Sequence, residues 1–141
     1  IWDKLRGLDP LYNPFYWEDI DLSFRALKSG YNVLFEAKSI VIHEHEKGAI
    51  RSKFKQRYIQ EIAYRNQFIF VWKNITDRSL LVSHIIWLPY HLITAFRRGN
   101  KAFIKGFFLA LVQLQKVQVS RKRAQKFFIL SDKQILRNYS Q

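Results

Sequence analysis

From Ser79 to Phe96 the chain runs for 18 residues without an Asp, Glu, Lys or Arg, bounded by Asp77-Arg78 and Arg97-Arg98. Nothing else narrows the available folds as much, because so long an uncharged run needs cover other than water. A membrane span requires roughly 20 mostly apolar residues. Here Ser79, Ser83, His84, Pro89 and His91 dilute the apolarity, and the proline removes a backbone donor in mid-segment. The segment therefore reads as a helix pair or a re-entrant, interface-lying element broken near Pro89, with a true span and a soluble core helix as the alternatives.

The charges around this run are unevenly spread. Residues 1–50 hold 6 Lys/Arg against 8 Asp/Glu, whereas residues 51–141 hold 18 against 3, so the net +13 belongs to the second part. A basic, aromatic-rich stretch of that kind meets phosphate-bearing surfaces, either anionic lipid or nucleic acid. With 48% hydrophobic residues over 141 positions the chain can bury a core, which excludes general disorder. Cysteine is absent, so there is neither a disulfide framework nor a thiolate metal site. The opening Ile1-Trp2-Asp3 shows no charged n-region followed by an apolar h-region, and is expected to be a start partway through a domain.

Local signals order the chain into elements. Gly7-Leu8-Asp9-Pro10 and Asn13-Pro14 mark a loop-rich opening. Ile20, Phe24 and Leu27 form one face of a helix expected from about Asp19 to Ser29, with Gly30 as its stop. Tyr31 to Phe35 and Ser39 to His43 are β-branched and aromatic runs that read as strands. Phe54, Tyr58, Ile62, Ile69 and Trp72 then lie along an amphipathic helix whose other face carries Lys53, Arg57, Glu61 and Arg65. Phe103 to Val119 is a further helix, followed by the basic Arg121-Lys122-Arg123 and Lys126.

The chemistry concentrates in Trp17-Glu18-Asp19-Ile20-Asp21, which places three carboxylates within four positions where a loop enters a helix. Free N–H groups and the helix dipole favour negative charge there, so the cluster suits capping as well as catalysis. Asp21 and Arg25 are spaced i, i+4 and read as a structural pair. Trp17 is either core or a flat wall against a pyranose ring. Lys47, Arg51 and Lys53 are placed to meet phosphate, or form a solvated helix face.

Taken in order, Gly7-Leu8-Asp9, Tyr16 to Arg25, Gly30-Tyr31 and Ser39 to His43 resemble the second half of a family 2 glycosyltransferase of GT-A fold, close to its rhamnosyltransferase-like members. The resemblance covers about residues 5 to 50. It implies an α/β fold, α+β within these residues: a partial GT-A fold of short strands and a Glu-Asp-x-Asp helix, followed by amphipathic helices. Residues 1–50 would be the acceptor-side portion and 51–141 a basic, membrane-associating tail. By the same resemblance Asp19 is the catalytic base, Glu18 orients the acceptor, and His43, with His45 two residues on, completes a divalent-cation site. The family's donor half, Rossmann-like strands bearing an Asp-x-Asp pair that holds Mn²⁺ or Mg²⁺, is not among these residues; the cation is expected mainly from there, and the 141 residues alone are expected to be inactive. Where members have Gly-Ser or Gly-Thr after the His, this chain has Gly48-Ala49. The implied function is inverting transfer of a sugar from a nucleotide-sugar donor, of which dTDP-rhamnose is one, to a cell-surface glycan or lipid-linked acceptor at the cytoplasmic face of the plasma membrane, peripherally or with residues 79–96 inserted. A non-catalytic membrane-surface protein and a nucleic-acid-binding module are the competing classes. No nucleic-acid motif is present, so nucleic acid is not expected as a partner.

Overall fold

The computed structural model describes residues 1–40 and 49–138. It consists of α1 (Trp2–Leu5), a 3₁₀ turn (Pro10–Tyr12), α2 (Glu18–Lys28), α3 (Ala49–Lys53), α4 (Gln56–Asn74), α5 (Arg78–Arg97), α6 (Lys101–Val112), α7 (Leu114–Gln125) and α8 (Asp132–Asn138). No strand occurs among the described residues, so the expectation of an α/β, partial GT-A fold is corrected to all-α. The reason is visible at the first expected strand. Tyr31 to Phe35 has irregular backbone with no neighbouring strand, and Leu34 and Phe35 are 84% and 93% exposed. β-branched and aromatic residues make a strand only where a ladder satisfies their backbone groups. Of the second expected strand, Ser39 and Ile40 are irregular, and Val41, Ile42 and His43 lie outside the described residues.

The organising element is α4. It has no Gly or Pro, and at 19 residues it is about 28 Å long. Its neighbours are α6, α7, α2, α3 and the 3₁₀ turn, so it is buried along several sides. Of the expected polar face, Lys53 and Arg57 are exposed, but Glu61 and Arg65 are buried together with Ile59, Ile62, Phe68 and Ile69. Inside, Glu61 is paired with Arg57 at 3.1 Å and with Lys105 of α6 at 2.9 Å. Tyr12, Phe68, Ile69, Ala110 and Val117 make the main core cluster, against which Trp17, Trp72, Leu88, Phe103 and Phe107 pack. Phe68 meets the ring edges of Phe103 and Phe107, both at 5.3 Å between centroids.

Close approach of α6 to α4 rests on the small residues Ala102, Gly106 and Ala110, all buried. A Cβ on Gly106 would stand 2.7 Å from Cβ of Tyr64 and 2.9 Å from the backbone nitrogen of Arg65. The expected single helix from Phe103 to Val119 is in fact two, since α6 and α7 meet at Gln113 with a bend of 68°. The opposite correction applies to α5, which runs unbroken from Arg78 to Arg97 with Pro89 inside it. A proline withdraws one N–H, and the residues on either side keep their own helical bonds.

α5 is long and apolar enough to cross a membrane, and only 6% of its apolar window is buried, unlike the core helix of a soluble protein. Its inward stripe is held by Leu88 on the main core and by His84, whose Nε2 accepts from Nε1–H of Trp72 at 3.1 Å. Outside, Val82, Ile85, Ile86, Trp87, Tyr90, Ile93 and Phe96 are exposed.

Candidate functional site

The carboxylate cluster sits at the mouth of a strained turn. Tyr16 and Trp17 both have left-handed backbone, with φ of 69° and 75°, a region that non-glycine residues rarely occupy. Each such residue costs about 1–3 kcal/mol and persists only where its surroundings over-determine it. Asn66 of α4 does this. Its Nδ2 amide donates to the carbonyl oxygens of Tyr12 at 2.8 Å and of Phe15 and Tyr16 at 2.9 Å. The Trp17 ring rests on Phe70 with centroids 5.2 Å apart, so part of its surface is committed to the core.

Beyond this turn, α2 sorts its three acids. Asp21 is fully buried and accepts from the Tyr12 hydroxyl at 2.8 Å, Arg25 Nε at 2.7 Å, Lys73 Nζ at 2.8 and 2.9 Å, and Asn74 Nδ2 at 2.7 Å. The spacing-based pair of Asp21 and Arg25 is thus one edge of a larger network. Arg25 also donates to the carbonyls of Leu5 at 2.5 Å and Gly7 at 2.7 Å, which ties the opening loop to α2. Gly7 is required there: its φ is 59°, and a Cβ would come 2.8 Å from the Trp2 indole. Asp19, by contrast, is exposed, and among the described residues it accepts only from the N–H of Ile20, at 2.8 Å. Glu18 is half-buried, and its Oε2 is withdrawn from solvent with no hydrogen-bond partner among the described residues. One carboxylate anchors the helix, one faces outward, and the third lies half-buried.

Lys73 joins this anchor to Asp9, whose Oδ2 lies 2.7 Å from Nζ. Burial alone would raise the Asp9 carboxyl, but Lys73, the Ser120 hydroxyl and the Leu11 N–H together hold it below the usual carboxylate range. Burial and the adjacent Asp21 push the Tyr12 hydroxyl far up, so it stays a donor. A second tie closes the other end of α2, where Lys28 Nζ lies 2.5 Å from Asp132 Oδ1 and 2.5 Å from Thr76 Oγ1. Asp132 also accepts from the N–H groups of Thr76 at 2.6 Å and Asp77 at 2.7 Å. Burial opposes its ionisation, yet Lys28 and these two N–H groups keep it low. The helix itself stops as expected: Gly30 has φ of 81°, its N–H donates to Leu27, and the N–H of Tyr31 donates to Ala26.

Of the remaining expected site residues, Arg51 is exposed on α3, and Lys47, His43 and His45 lie outside the described residues. No group of three or more His, Asp or Glu side chains suited to a metal ion occurs among the described residues. Asp9 and Asp21, the two acids that approach one another through a shared partner, do not fit a divalent ion, because the ammonium of Lys73 already occupies the cation position between them. Tyr12, Asn66, Lys73, Asn74 and Asp132 escaped the sequence reading. Their one signal was the placing of Asn66 and Lys73 on the same stripe as Ile59, Ile62 and Ile69, polar residues at apolar positions of a helical repeat. Comparison with protein-family models, curated proteins and solved structures gives no match to this chain.

Proposed function

We propose that this chain is the acceptor-side part of an inverting glycosyltransferase that works at a membrane surface. The observation that carries the proposal is the division of labour on α2, where a buried Asp21 with four side-chain partners fixes a helix start at which Asp19 and Glu18 remain free. A general base needs a carboxylate with no competing cation and a rigid mount. Among the described residues Asp19 has both, and the left-handed turn at Tyr16-Trp17 is the kind of backbone strain that gathers at reactive sites. In this reading Asp19 takes the proton of an acceptor hydroxyl as that oxygen attacks the sugar carbon and the nucleoside diphosphate leaves. Glu18, half-buried beside it, accepts a hydrogen bond from the same acceptor. The nucleotide-sugar and any divalent ion are held by a donor-binding part outside these residues.

The test is Asp19→Asn in a transferase containing this chain with a donor-binding domain. Turnover is expected to fall by about 10²–10⁴-fold, the usual contribution of general-base catalysis, without loss of folding. Unchanged turnover overturns the assignment. One observation favours a second reading, a membrane-surface protein without catalysis: the apolar outer face of α5 accounts for the second part of the chain by itself. That reading predicts the unchanged turnover.

A further inference from the structure

A cleft of about 680 Å³ opens between the loop of residues 5–11 and α7. Trp17, Glu18 and Asp19 do not line it, so it is separate from the carboxylate site. Four exposed cations do line it: Arg6, Lys116, Arg123 and Lys126. None of the four has a carboxylate partner among the described residues, whereas Arg25 and Lys73 at the cleft floor are spent on Asp21 and Asp9. The one acid in the lining, Asp9, is occupied by Lys73 and by the hydroxyl of Ser120. The cleft thus has a neutralised floor and an uncompensated cationic rim. Arg6 reaches that rim from left-handed backbone, with φ of 61°, in a position where glycine is the easy choice.

We infer that this cleft binds a phosphate monoester carried on an apolar body. A carboxylate offers one charge to four cations. A phosphate monoester offers about −1.5 to −2 at neutral pH and three acceptor oxygens that match arginine in bidentate geometry. Volume supplies the rest. Ligand sites of roughly 300–1,000 Å³ take molecules far larger than a phosphate ion. The remaining wall includes the exposed Leu8 and the half-buried Phe127, which an apolar body would cover. The site goes beyond the transferase reading and does not depend on it.

Titration of the 141-residue chain with octyl phosphate, below its micelle concentration, tests the inference. Arg123→Glu and, as an independent variant, Lys126→Glu are expected to weaken binding by at least about tenfold, since each removes a charge-assisted contact. Lys122→Glu makes the same charge change on an exposed residue of α7 outside the lining, and is expected to weaken binding by less than about twofold at physiological salt. Inorganic phosphate is expected to bind more weakly than octyl phosphate. Equal losses at 122, 123 and 126 would reduce the site to diffuse surface charge and overturn it, as would no binding of octyl phosphate or equal binding of inorganic phosphate. A further arm separates membrane from soluble sources of the ligand. If Arg123→Glu lowers retention on vesicles containing phosphatidic acid more than on phosphatidylglycerol vesicles of equal charge, the ligand is a bilayer lipid. If it lowers both equally while octyl phosphate binding is lost, the ligand is a soluble ester.

Discussion

Two carboxylates two residues apart, Asp19 and Asp21, have opposite fates, and their variants should show it. Asp21→Asn leaves the buried cation of Arg25 without its counter-charge and leaves Lys73 with Asp9 alone, a change expected to cost about 3–5 kcal/mol in urea denaturation. Asp19→Asn, at an exposed position, is expected to stay within about 0.5 kcal/mol of the parent. Equal effects would show that the buried network does not anchor α2. The i, i+4 spacing made the Asp21–Arg25 pair legible in the sequence, because it is a local rule. Lys73 and Asn74 reach the same carboxylate from more than 50 positions away, and no local rule connects them. Asp9 and Ser120 are separated by 111 residues and met for the same reason only in three dimensions. The acids were visible as a cluster, but which of them would be buried was decided by α4.

At the scale of elements, the fold depends on how near α6 comes to α4. Gly106→Ala places a methyl group 2.7 Å from Tyr64 Cβ and 3.0 Å from the carbonyl oxygen of Glu61, neither of which can step aside without moving a helix. Overpacking of this kind costs about 1–3 kcal/mol, even though alanine is by itself the better helix former. An increase in the thermal midpoint on Gly106→Ala would show that the seam is looser than described. Helix α2 and its glycine stop were legible because capping and periodicity are written within a dozen residues. The first expected strand fails for the converse reason: Tyr31 to Phe35 has the composition of a strand, but a strand also needs a partner, which composition does not report. Pro89 misled in the same way. Its missing donor is a local fact, whereas the continuity of α5 also reflects its packing on α6.

At the scale of the molecule, the interior removes acids from the surface. Of the three acids beyond residue 50, Glu61 and Asp132 are buried and Asp77 is half-buried, so that the charge on the outside of this part is nearly all positive. That charge lies on the same small molecule as the uncovered face of α5, a combination suited to an anionic bilayer. Replacing Ile86 and Ile93, 67% and 60% exposed, by Glu is expected to abolish sedimentation with vesicles containing phosphatidylglycerol while leaving the helical circular dichroism unchanged. Retention of the double variant on such vesicles would mean that charge alone does the binding. The tie between Lys28 and Asp132 spans 104 positions of sequence. During synthesis α2 therefore leaves the ribosome with its lysine lacking a carboxylate, and the helix that presents the acids waits for these 104 further positions to emerge before its far end is closed.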